Sequence, residues 1–204
     1  MPQHSNLEIA SRIDAWWASA KHDVPVDPFG RMARAGLFQI GLPGADAMLD
    51  SYSAIAATEQ AIAARTGLLG LASAFAARQV TARFFIAGFA DAAQRADWLP
   101  RIAAGEVCVA IAISEPGAGA HPKHLQTAAE PNGSGTIIRG RKAWVTNGPG
   151  ADLFLVLSVI AAFSCSRSIS PFCCRARYVT RQPSFSSRLQ VSRIALCSVA
   201  AVMI

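Results

Sequence analysis

The C-terminal quarter of this 204-residue chain lacks four residue types at once. Residues 153–204 contain no acidic residue, no lysine and no glycine. The formal net charge of +6 comes from arginines in this stretch, because basic and acidic side chains balance over residues 1–152. A nucleic-acid-binding face usually mixes lysine with arginine on a folded surface. We therefore predict no nucleic-acid partner, and no carboxylate for proton transfer is available after Asp152.

Cysteine is scarce and shows no ligand spacing. Four of the five cysteines lie after residue 160, and no two of them have the C-x2-C spacing typical of a zinc site. Nothing in the sequence indicates export, so a disulfide framework is not expected. The sequence predicts no metal site. The four late cysteines are Cys165, Cys173, Cys174 and Cys197.

Long apolar runs are missing as well. The longest apolar stretch, Leu153–Phe163, has eleven residues, whereas a membrane-spanning helix needs about 20. A buried strand explains this stretch better. No basic start followed by an apolar segment marks the chain for secretion. We expect no membrane span and a cytoplasmic location.

Helical patterns fill residues 5–105. The hydrophobic share of 52% against 16% charge predicts a folded chain. Ser5-x-x-Glu8 has the form of a capping box, and Asp27-Pro28 joins an N-cap to a proline at the first helical position. Alanine-rich faces allow close helix packing, so an all-α bundle is predicted. Its later helices are Asp50–Thr66, Leu68–Ala87 (with Val80 and Phe84 on the buried side) and Ala90–Ala104.

From residue 107 the hydrophobic period changes to two. Short apolar runs are separated by clusters of Pro, Gly and Asn, and Asn132-Gly133 is typical of a hairpin turn. The fold class predicted is α+β: a helical bundle over 1–106, a partial small β-barrel-like domain over 107–160 and an aberrant Ser/Arg/Cys-rich tail over 161–204. The predicted strands are Val107–Ile113, Leu125–Ala129, Thr136–Arg139, Ala143–Thr146 and Leu153–Val159.

Two turn-rich motifs stand among these strands. In Ser114–Ala120 (SEPGAGA) the glycines at 117 and 119 allow positive φ and leave backbone N–H groups uncovered. Such a turn can present several donors to one oxygen, although an ordinary tight turn is also consistent with the residues. In Gly140–Gly148 (GRKAWVTNG) a strand would place Trp144 and Thr146 on one face. A planar heterocycle could stack there, and the alternative is a core tryptophan beside a packed threonine.

The two motifs together resemble the acyl-CoA dehydrogenase family. Its pattern is [TS]-E-P-x-A-G-S-D followed by G-x-K-x-W-I-T-N-G-x-x-A-D, and this chain has Ile113–Gly119 (ISEPGAG), then GRKAWVTNG and Ala151-Asp152. Ala35–Pro43 and Trp98–Gly105 are similar to earlier family segments. The resemblance covers about residues 27 to 157. It implies a truncated form of the family fold, because the four-helix C-terminal domain is not represented.

The resemblance also implies a site for FAD. Ile111, Ala112, Ile113 and Ser114 match the segment that lines the flavin, and Ser114 matches the hydroxyl that meets its pyrimidine edge. Gly119 matches the motif glycine. Ala120 takes the place of a serine that contacts flavin or acyl-CoA, and His121 the place of an aspartate. Trp144 and Thr146 match the ring and the hydroxyl beside the flavin, whereas Glu115 is expected to brace the turn.

By the same resemblance, the activity would be α,β-oxidation of an acyl-CoA thioester, with hydride transfer to FAD. The partners implied are acyl-CoA, an electron-transfer acceptor and further copies of the chain. The family's catalytic base is a glutamate of the C-terminal domain, so no residue of this chain is assigned as catalytic. We expect weak flavin binding at most and an inactive chain.

Three other functions remain open on the sequence. The first is a flavin-dependent monooxygenase on the same fold, which would share the motifs. The second is a non-catalytic helical interaction module formed by residues 5–105. The third is a protein whose arginine-rich tail binds anionic lipid.

The composition change near residue 158 yields a first prediction. Loss of Gly, Asp, Glu and Lys together is expected if the residues that follow are read in a shifted frame. Another frame should then restore the family pattern after Ser158. Nucleotide sequencing across codon 158 checks this, and an absence of family-like sequence in both other frames would contradict it.

Overall fold

The computed structural model describes residues 2–18, 27–44, 49–117, 119, 121, 124–132, 135–160, 189–191 and 200–203. Contacts divide the chain into two compact units. The first comprises Met1–Gly88 with Arg95–Cys108, and the second comprises Phe89–Gln94 with Val109–Ile204. No helix among the described residues is both long and apolar enough to cross a membrane.

Five α-helices precede the first strand among the residues that the structure describes. Helix α4 continues into a π-helical turn over Ala82–Ala87, and short 3-10 turns cover Leu37–Gln39 and Gly148–Gly150. The helices are α1 (Pro2–Ala18), α2 (Pro28–Arg34), α3 (Tyr52–Thr66), α4 (Leu69–Thr81) and α5 (Ala92–Ala104). The predicted helical character of this region is confirmed.

Local side chains explain several helix ends. Asp27 caps α2, because its carboxylate accepts from Gly30 N at 2.8 Å, and Pro28 supplies the fixed φ of the first turn. Ser51 caps α3 in the same way through Ala54 N at 3.0 Å. Gly67 ends α3 in the left-handed region at φ +69°. These starts and stops follow from the sequence signals.

Two helix predictions were wrong. Helix α1 begins at Pro2, so Ser5 does not start it, and Glu8 pairs instead with Arg12 one turn later at 2.9 Å. The segment Leu68–Ala87 is not one α-helix, since its last turn has π geometry. Val80 and Phe84, which were predicted on the buried side, are both exposed. Phe84 lies in the wider π turn, which places side chains at angles that a period of 3.6 does not describe, whereas Val80 lies in α4 before that turn.

The first unit has an apolar core with two long polar side chains inside it. The Arg78 guanidinium lies 3.6 Å from the centre of the Phe38 ring and donates to Ile102 O at 2.9 Å and Val107 O at 2.8 Å. Gln79 donates to Phe38 O and Ile40 O. These bonds satisfy buried carbonyls at helix ends, which stabilises the turns there. The largest apolar members of the core include Ile13, Trp16, Met32, Leu37, Ile55, Ile62 and Phe75.

Six strands form the sheet of the second unit. The order is β1-β4-β2-β3-β5, with β6 paired to β4. Strands β1 and β4 are parallel, β2 joins β4 in parallel at Ala128↔Val159, and the β2–β3, β3–β5 and β4–β6 pairs are antiparallel. The bounds are β1 (Val109–Ala112), β2 (Ala128–Asn132), β3 (Gly135–Arg139), β4 (Leu153–Ile160), β5 (Leu189–Val191) and β6 (Ala200–Met203).

The strand predictions hold in part. The hairpin is confirmed, because Asn132 pairs with Gly135 at the end of β2 and β3, whereas residues 133 and 134 lie outside the described residues. The second predicted strand is displaced: β2 begins at Ala128, and Leu125–Thr127 form an irregular connection. Ala143–Thr146 is not a strand. The fold class, a helical region followed by a small partial sheet, is confirmed.

A matched pair of glycine substitutions tests the packing at the end of α5. Gly105 has φ +83°, and an added Cβ would overlap the Ala33 Cβ and lie 3.3 Å from the Phe38 ring. Gly67 has φ +69° with nothing within 4 Å of an added Cβ. We expect Gly67→Ala to cost about 1 kcal/mol through backbone strain. Gly105→Ala should cost about 2–4 kcal/mol, since overpacking adds to the strain.

Urea unfolding followed by far-UV circular dichroism measures both changes. Equal losses for the two variants would contradict the packing argument, since only the backbone strain is common to them.

Candidate functional site

The Glu115 carboxylate organises the segment after β1. Its Oε2 accepts from Gln126 N at 2.7 Å and its Oε1 accepts from Thr127 N at 2.9 Å. Both donors precede β2, and Thr127 O in turn accepts from Val159 N of β4 at 2.8 Å. One side chain therefore ties the end of β1 to the entry of β2.

Lys142 reaches the same carboxylate from the second motif. Its Nζ lies 2.7 Å from Glu115 Oε1 and donates to Ile113 O at 2.9 Å. Both side chains are largely removed from solvent, with relative exposures of 10% for Lys142 and 4% for Glu115. An ammonium group with two oxygen partners in a buried position is well satisfied. The pair joins two motifs that are 27 residues apart.

These contacts determine the ionisation of Glu115. Burial raises the pKa of the Glu115 carboxyl group, but the Lys142 ammonium and the backbone N–H donors of Gln126 and Thr127 lower it by more. The net pKa of Glu115 is about 2, below the usual 4.5. Glu115 is thus a fixed anion at neutral pH with its oxygens engaged, so it is unsuited to act as a base. This agrees with its predicted bracing role.

The first motif forms a closed turn. Glu115 N donates to Gly119 O at 2.9 Å, and Gly119 N donates to Glu115 O at 3.0 Å. Gly117 and Gly119 adopt positive φ, as the sequence predicts. For Glu115 and Gly119 the structure shows the ordinary tight turn and not a nest of free donors, because their N–H groups are used inside the turn. Ala120 lies outside the described residues, so its predicted contact with substrate stays a prediction.

Ser114 keeps its donors open. Its carbonyl accepts from Ala143 N at 2.8 Å. Within the part of the chain that the structure describes, its N–H and its hydroxyl have no hydrogen-bond partner. Ser114 is half-buried and follows the half-buried Ile113. A backbone and a side-chain donor are therefore available at one residue for an external acceptor.

Trp144 has an uncommon backbone for an aromatic residue. Its φ is +58°, and its side chain is 93% exposed. Asn147 is also left-handed, at φ +64°, and leads into the 3-10 turn at Gly148. The prediction that Trp144 and Thr146 share one face of a strand was wrong, because alternation requires extended φ at 144. Thr146 lies in a turn and is exposed.

The structure brings together most, but not all, of the predicted site residues. Ile111 and Ala112 lie in β1, paired with Leu155 and Val156, and Ile113 and Ser114 follow directly. The carbonyls of Ile113 and Ser114 are bonded to Lys142 and Ala143, so Trp144 is next to residues that hold the first motif. No hydrogen bond or ion pair links Thr146 to this group among the described residues. Their contact with a cofactor stays a prediction.

Three residues of the site were missed from the sequence. Lys142 reads as a solvated charge on a strand, and nothing in Gln126 or Thr127 suggests bonds to a carboxylate. Because its neighbour Arg141 is also charged, the sequence gives no indication that Lys142 is buried. The sequence did contain one signal. An acidic residue in the first motif and a lysine in the second can form a buried ion pair if the two loops lie close together.

The donor set fits a planar heterocycle with an acceptor edge. The Trp144 ring provides an exposed aromatic face, and Ser114 provides two donors near a segment of fixed backbone. No group of three or more His, Cys, Asp or Glu side chains among the described residues could hold a metal ion. His121 and His124, whose rings lie 4.8 Å apart, are exposed beside this turn.

The lowered pKa gives a pH-dependent stability. A folded-state pKa of about 2 against 4.5 means that ionised Glu115 stabilises the fold above pH 4.5 and loses this effect as the pH falls towards 2. We expect Glu115→Gln to cost about 2–4 kcal/mol at pH 7, because Lys142 then remains buried without its counter-charge. The cost should shrink as the pH approaches 2, where the parent carboxyl is also protonated.

Urea unfolding between pH 2.5 and 7 (roughly the window in which the carboxyl titrates) measures this difference. Glu130→Gln is the control, since its ion pair with Arg139 is exposed and should contribute less than about 1 kcal/mol. A loss at Glu115→Gln that does not vary with pH would contradict the assignment.

Two models of one protein family match this chain. The acyl-CoA dehydrogenase N-terminal domain matches residues 5–106, and the acyl-CoA dehydrogenase middle domain matches residues 110–186. The first match alone covers half of the chain. The second extends beyond residue 160, so family-like sequence reaches further than the composition change suggests.

Curated relatives are similar over shorter stretches. Mitochondrial isovaleryl-CoA dehydrogenase of Pongo abelii is 40% identical over 82 residues, which is 39% of this chain and 19% of that protein. (2S)-Methylsuccinyl-CoA dehydrogenase of Cereibacter sphaeroides is 25% identical over 144 residues, which is 70% of this chain and 26% of that protein. The chain thus spans about a quarter or less of these relatives.

Solved structures show the same fold. Glutaryl-CoA dehydrogenase of Mycobacterium smegmatis in complex with FADH2 has a TM-score of 0.61 at 19% identity, over 98% of this chain and 53% of that one. The FAD complex of PigA has a TM-score of 0.62 at 20% identity, over 79% of this chain and 43% of that one. Taken with the family models, these similarities show that the chain belongs to the acyl-CoA dehydrogenase family.

Proposed function

We propose that this chain carries the flavin-facing framework of an acyl-CoA dehydrogenase, with FAD as its cofactor. The observation that carries the proposal is the pair of open donors at Ser114, held beside the loop that exposes Trp144. The two solved relatives described above hold FADH2 and FAD, and the cofactor prediction agrees with them. Ser114 would bond the polar edge of the ring system, and Trp144 would cover its face.

The reaction supported by the relatives is dehydrogenation of an acyl-CoA thioester. The similar proteins are named for isovaleryl-CoA, (2S)-methylsuccinyl-CoA and glutaryl-CoA. When bound, FAD supplies the acceptor for the hydride. This chain's own contribution is to hold and orient the ring through Ile111, Ala112, Ile113 and Ser114. A role in fatty acid metabolism and a cytoplasmic location remain predictions.

The electrons would pass to a protein acceptor. An electron transferring flavoprotein structure from Acidaminococcus fermentans matches the fold with a TM-score of 0.57 at 21% identity, over 78% of this chain. This similarity concerns the fold alone, and we propose an electron-transfer flavoprotein as the partner because the resemblance to the family implies an electron-transfer acceptor. Association with further copies of the chain remains an expectation from the family.

Proton removal is the step that this chain does not provide. Abstraction of a weakly acidic α-proton needs a positioned base with an adjusted pKa. Glu115 is engaged by three donors, and the sequence contains no acid after Asp152. We therefore propose that the chain by itself binds FAD weakly and does not turn over acyl-CoA.

The division of the chain is part of this proposal. We propose a helical domain over 1–106, a partial β-domain over 107–160 and a tail over 161–204 read from a shifted frame. The support is the simultaneous loss of acids, lysine and glycine after residue 152. The middle-domain match runs to residue 186, so it argues against a complete loss of the family pattern directly after Ser158, and the nucleotide sequence across codon 158 decides the reading frame.

FAD titration of the full chain, followed by flavin fluorescence quenching, tests the site. We expect a Kd weaker than about 10 μM, since the described site offers the ring two donors at Ser114 and one exposed aromatic face. Trp144→Ala should weaken binding by about tenfold, because stacking of a planar ring on an aromatic side chain contributes about 1–3 kcal/mol. Phe84→Ala removes another exposed aromatic ring, in the helical unit, and should leave the Kd unchanged.

Equal effects of Trp144→Ala and Phe84→Ala would overturn the site. Stoichiometric flavin that co-purifies with the chain would contradict the weak binding. Dye reduction with acyl-CoA and oxygen uptake with reduced flavin are measured on the same preparation. Activity in the second assay alone would favour the monooxygenase function.

A further inference from the structure

Three segments of the second unit meet at one carboxylate. Glu115 accepts from Gln126 N, from Thr127 N and from Lys142 Nζ, at 2.7–2.9 Å. Lys142 belongs to the second motif, and Gln126 and Thr127 lead into β2. Because Thr127 O also accepts from Val159 N, the same cluster reaches β4. The two cofactor motifs are therefore joined through one ion pair.

The Lys142 ammonium bridges a charge and a backbone oxygen. It bonds Glu115 Oε1 and Ile113 O, so it fixes the main chain directly before Ser114. Ala143 N then bonds Ser114 O, which fixes the main chain directly before Trp144. Two consecutive residues of the second motif are thus bonded to two consecutive carbonyls of the first. These bonds fix the orientation of the Ser114 backbone, and with it the direction of its open donors.

Burial distinguishes this ion pair from the exposed ion pair on the neighbouring hairpin. A buried ion pair costs desolvation, and it stabilises a fold only when its remaining hydrogen bonds are satisfied. Lys142 and Glu115 are 10% and 4% exposed, whereas Arg139 and Glu130 on the β2–β3 hairpin are 55% and 48% exposed. The exposed pair can rearrange freely in water, whereas the buried pair loses its partners if either loop shifts.

Close packing supports the same junction. An added Cβ at Gly140 would lie 2.6 Å from Thr127 Cα, which is too close for any side chain. The second motif therefore starts in direct contact with the residue whose N–H bonds Glu115. Only glycine at 140 lets this segment approach Thr127 closely enough for Lys142 to reach the carboxylate.

We propose that Lys142 and Glu115 are positioning residues for the cofactor, which together fix the open donors of Ser114 relative to the Trp144 loop. This inference rests on the proposed FAD function of the same loops. Neither residue contacts the ring itself in this proposal. Their effect passes through Ile113 O, Ser114 O and the backbone of Ala143, so a change at Lys142 alters binding at Ser114.

Hydrogen exchange by mass spectrometry on the full chain tests the proposal without cofactor. We expect Lys142→Met to accelerate exchange by about tenfold in the peptides over 111–117 and 140–147, because both loops lose a shared anchor. Exchange in β4 over 153–160 should change less than about twofold. Arg139→Met is the matched control, since it removes a cation from the exposed pair and should leave both loops unchanged.

A flavin arm reports on positioning. Lys142→Met should weaken FAD binding by about tenfold and shift the visible flavin band, and Lys142→Arg, which keeps the charge and donors, should restore most of both. If the parent chain binds no FAD, the proposed function fails, while the exchange data still judge the junction. Unchanged loop exchange in Lys142→Met, or acceleration that is equal in β4, overturns the positioning role. Loss of FAD binding with no rescue by Lys142→Arg also overturns it.

Discussion

A single buried ion pair connects the parts of the second unit on which the candidate site depends. The alternative, two loops joined only by backbone bonds, would leave their spacing to the irregular residues between β1 and β2. Glu115 restricts this spacing because its carboxylate is bonded both to backbone N–H groups at the entry of β2 and to the Lys142 ammonium. The energetic consequence is asymmetric: the intact pair contributes modestly, whereas one partner left alone in a buried position is costly. Such a junction is thus either complete or severely disrupted.

The unusual backbone at Trp144 is a consequence of this junction. A left-handed tryptophan is unfavourable by about 1–2 kcal/mol, so the residues on both sides must compensate for it. On one side, Ala143 N is bonded to Ser114 O, and on the other, Asn147 starts the 3-10 turn at Gly148. The exposed ring therefore results from main-chain bonds that hold its neighbours, and no packing contact of the ring is needed to explain it.

Local chemistry made much of the fold predictable, and tertiary contacts explain the remainder. Asp27 with Pro28, and Gly67 after α3, act through bonds within a few residues, so their signals are complete in the sequence. The β2–β3 hairpin is likewise predicted by residues close together in the sequence. In contrast, the strand predicted around Trp144 failed because alternation over four residues cannot reveal a turn imposed by Ser114, about 30 residues earlier. Lys142 was missed for the same reason, since its burial depends on Glu115. The motifs identified the loops, but not the bond between them.

The two described strands of the tail are compatible both with the family sequence and with a different sequence. Strand β5 pairs with β3 at Ile138↔Leu189, and β6 pairs with β4 at Leu157↔Ala201. Antiparallel pairing is made by backbone groups, and short apolar or β-branched segments of many sequences satisfy it. These strands therefore cover edges of β3 and β4 whatever reading frame encodes them. The functional loops depend on a glutamate, a lysine and glycines at fixed positions, and residues 153–204 contain no acid, no lysine and no glycine. The site is thus confined to the part of the chain in which acids, lysine and glycine occur together.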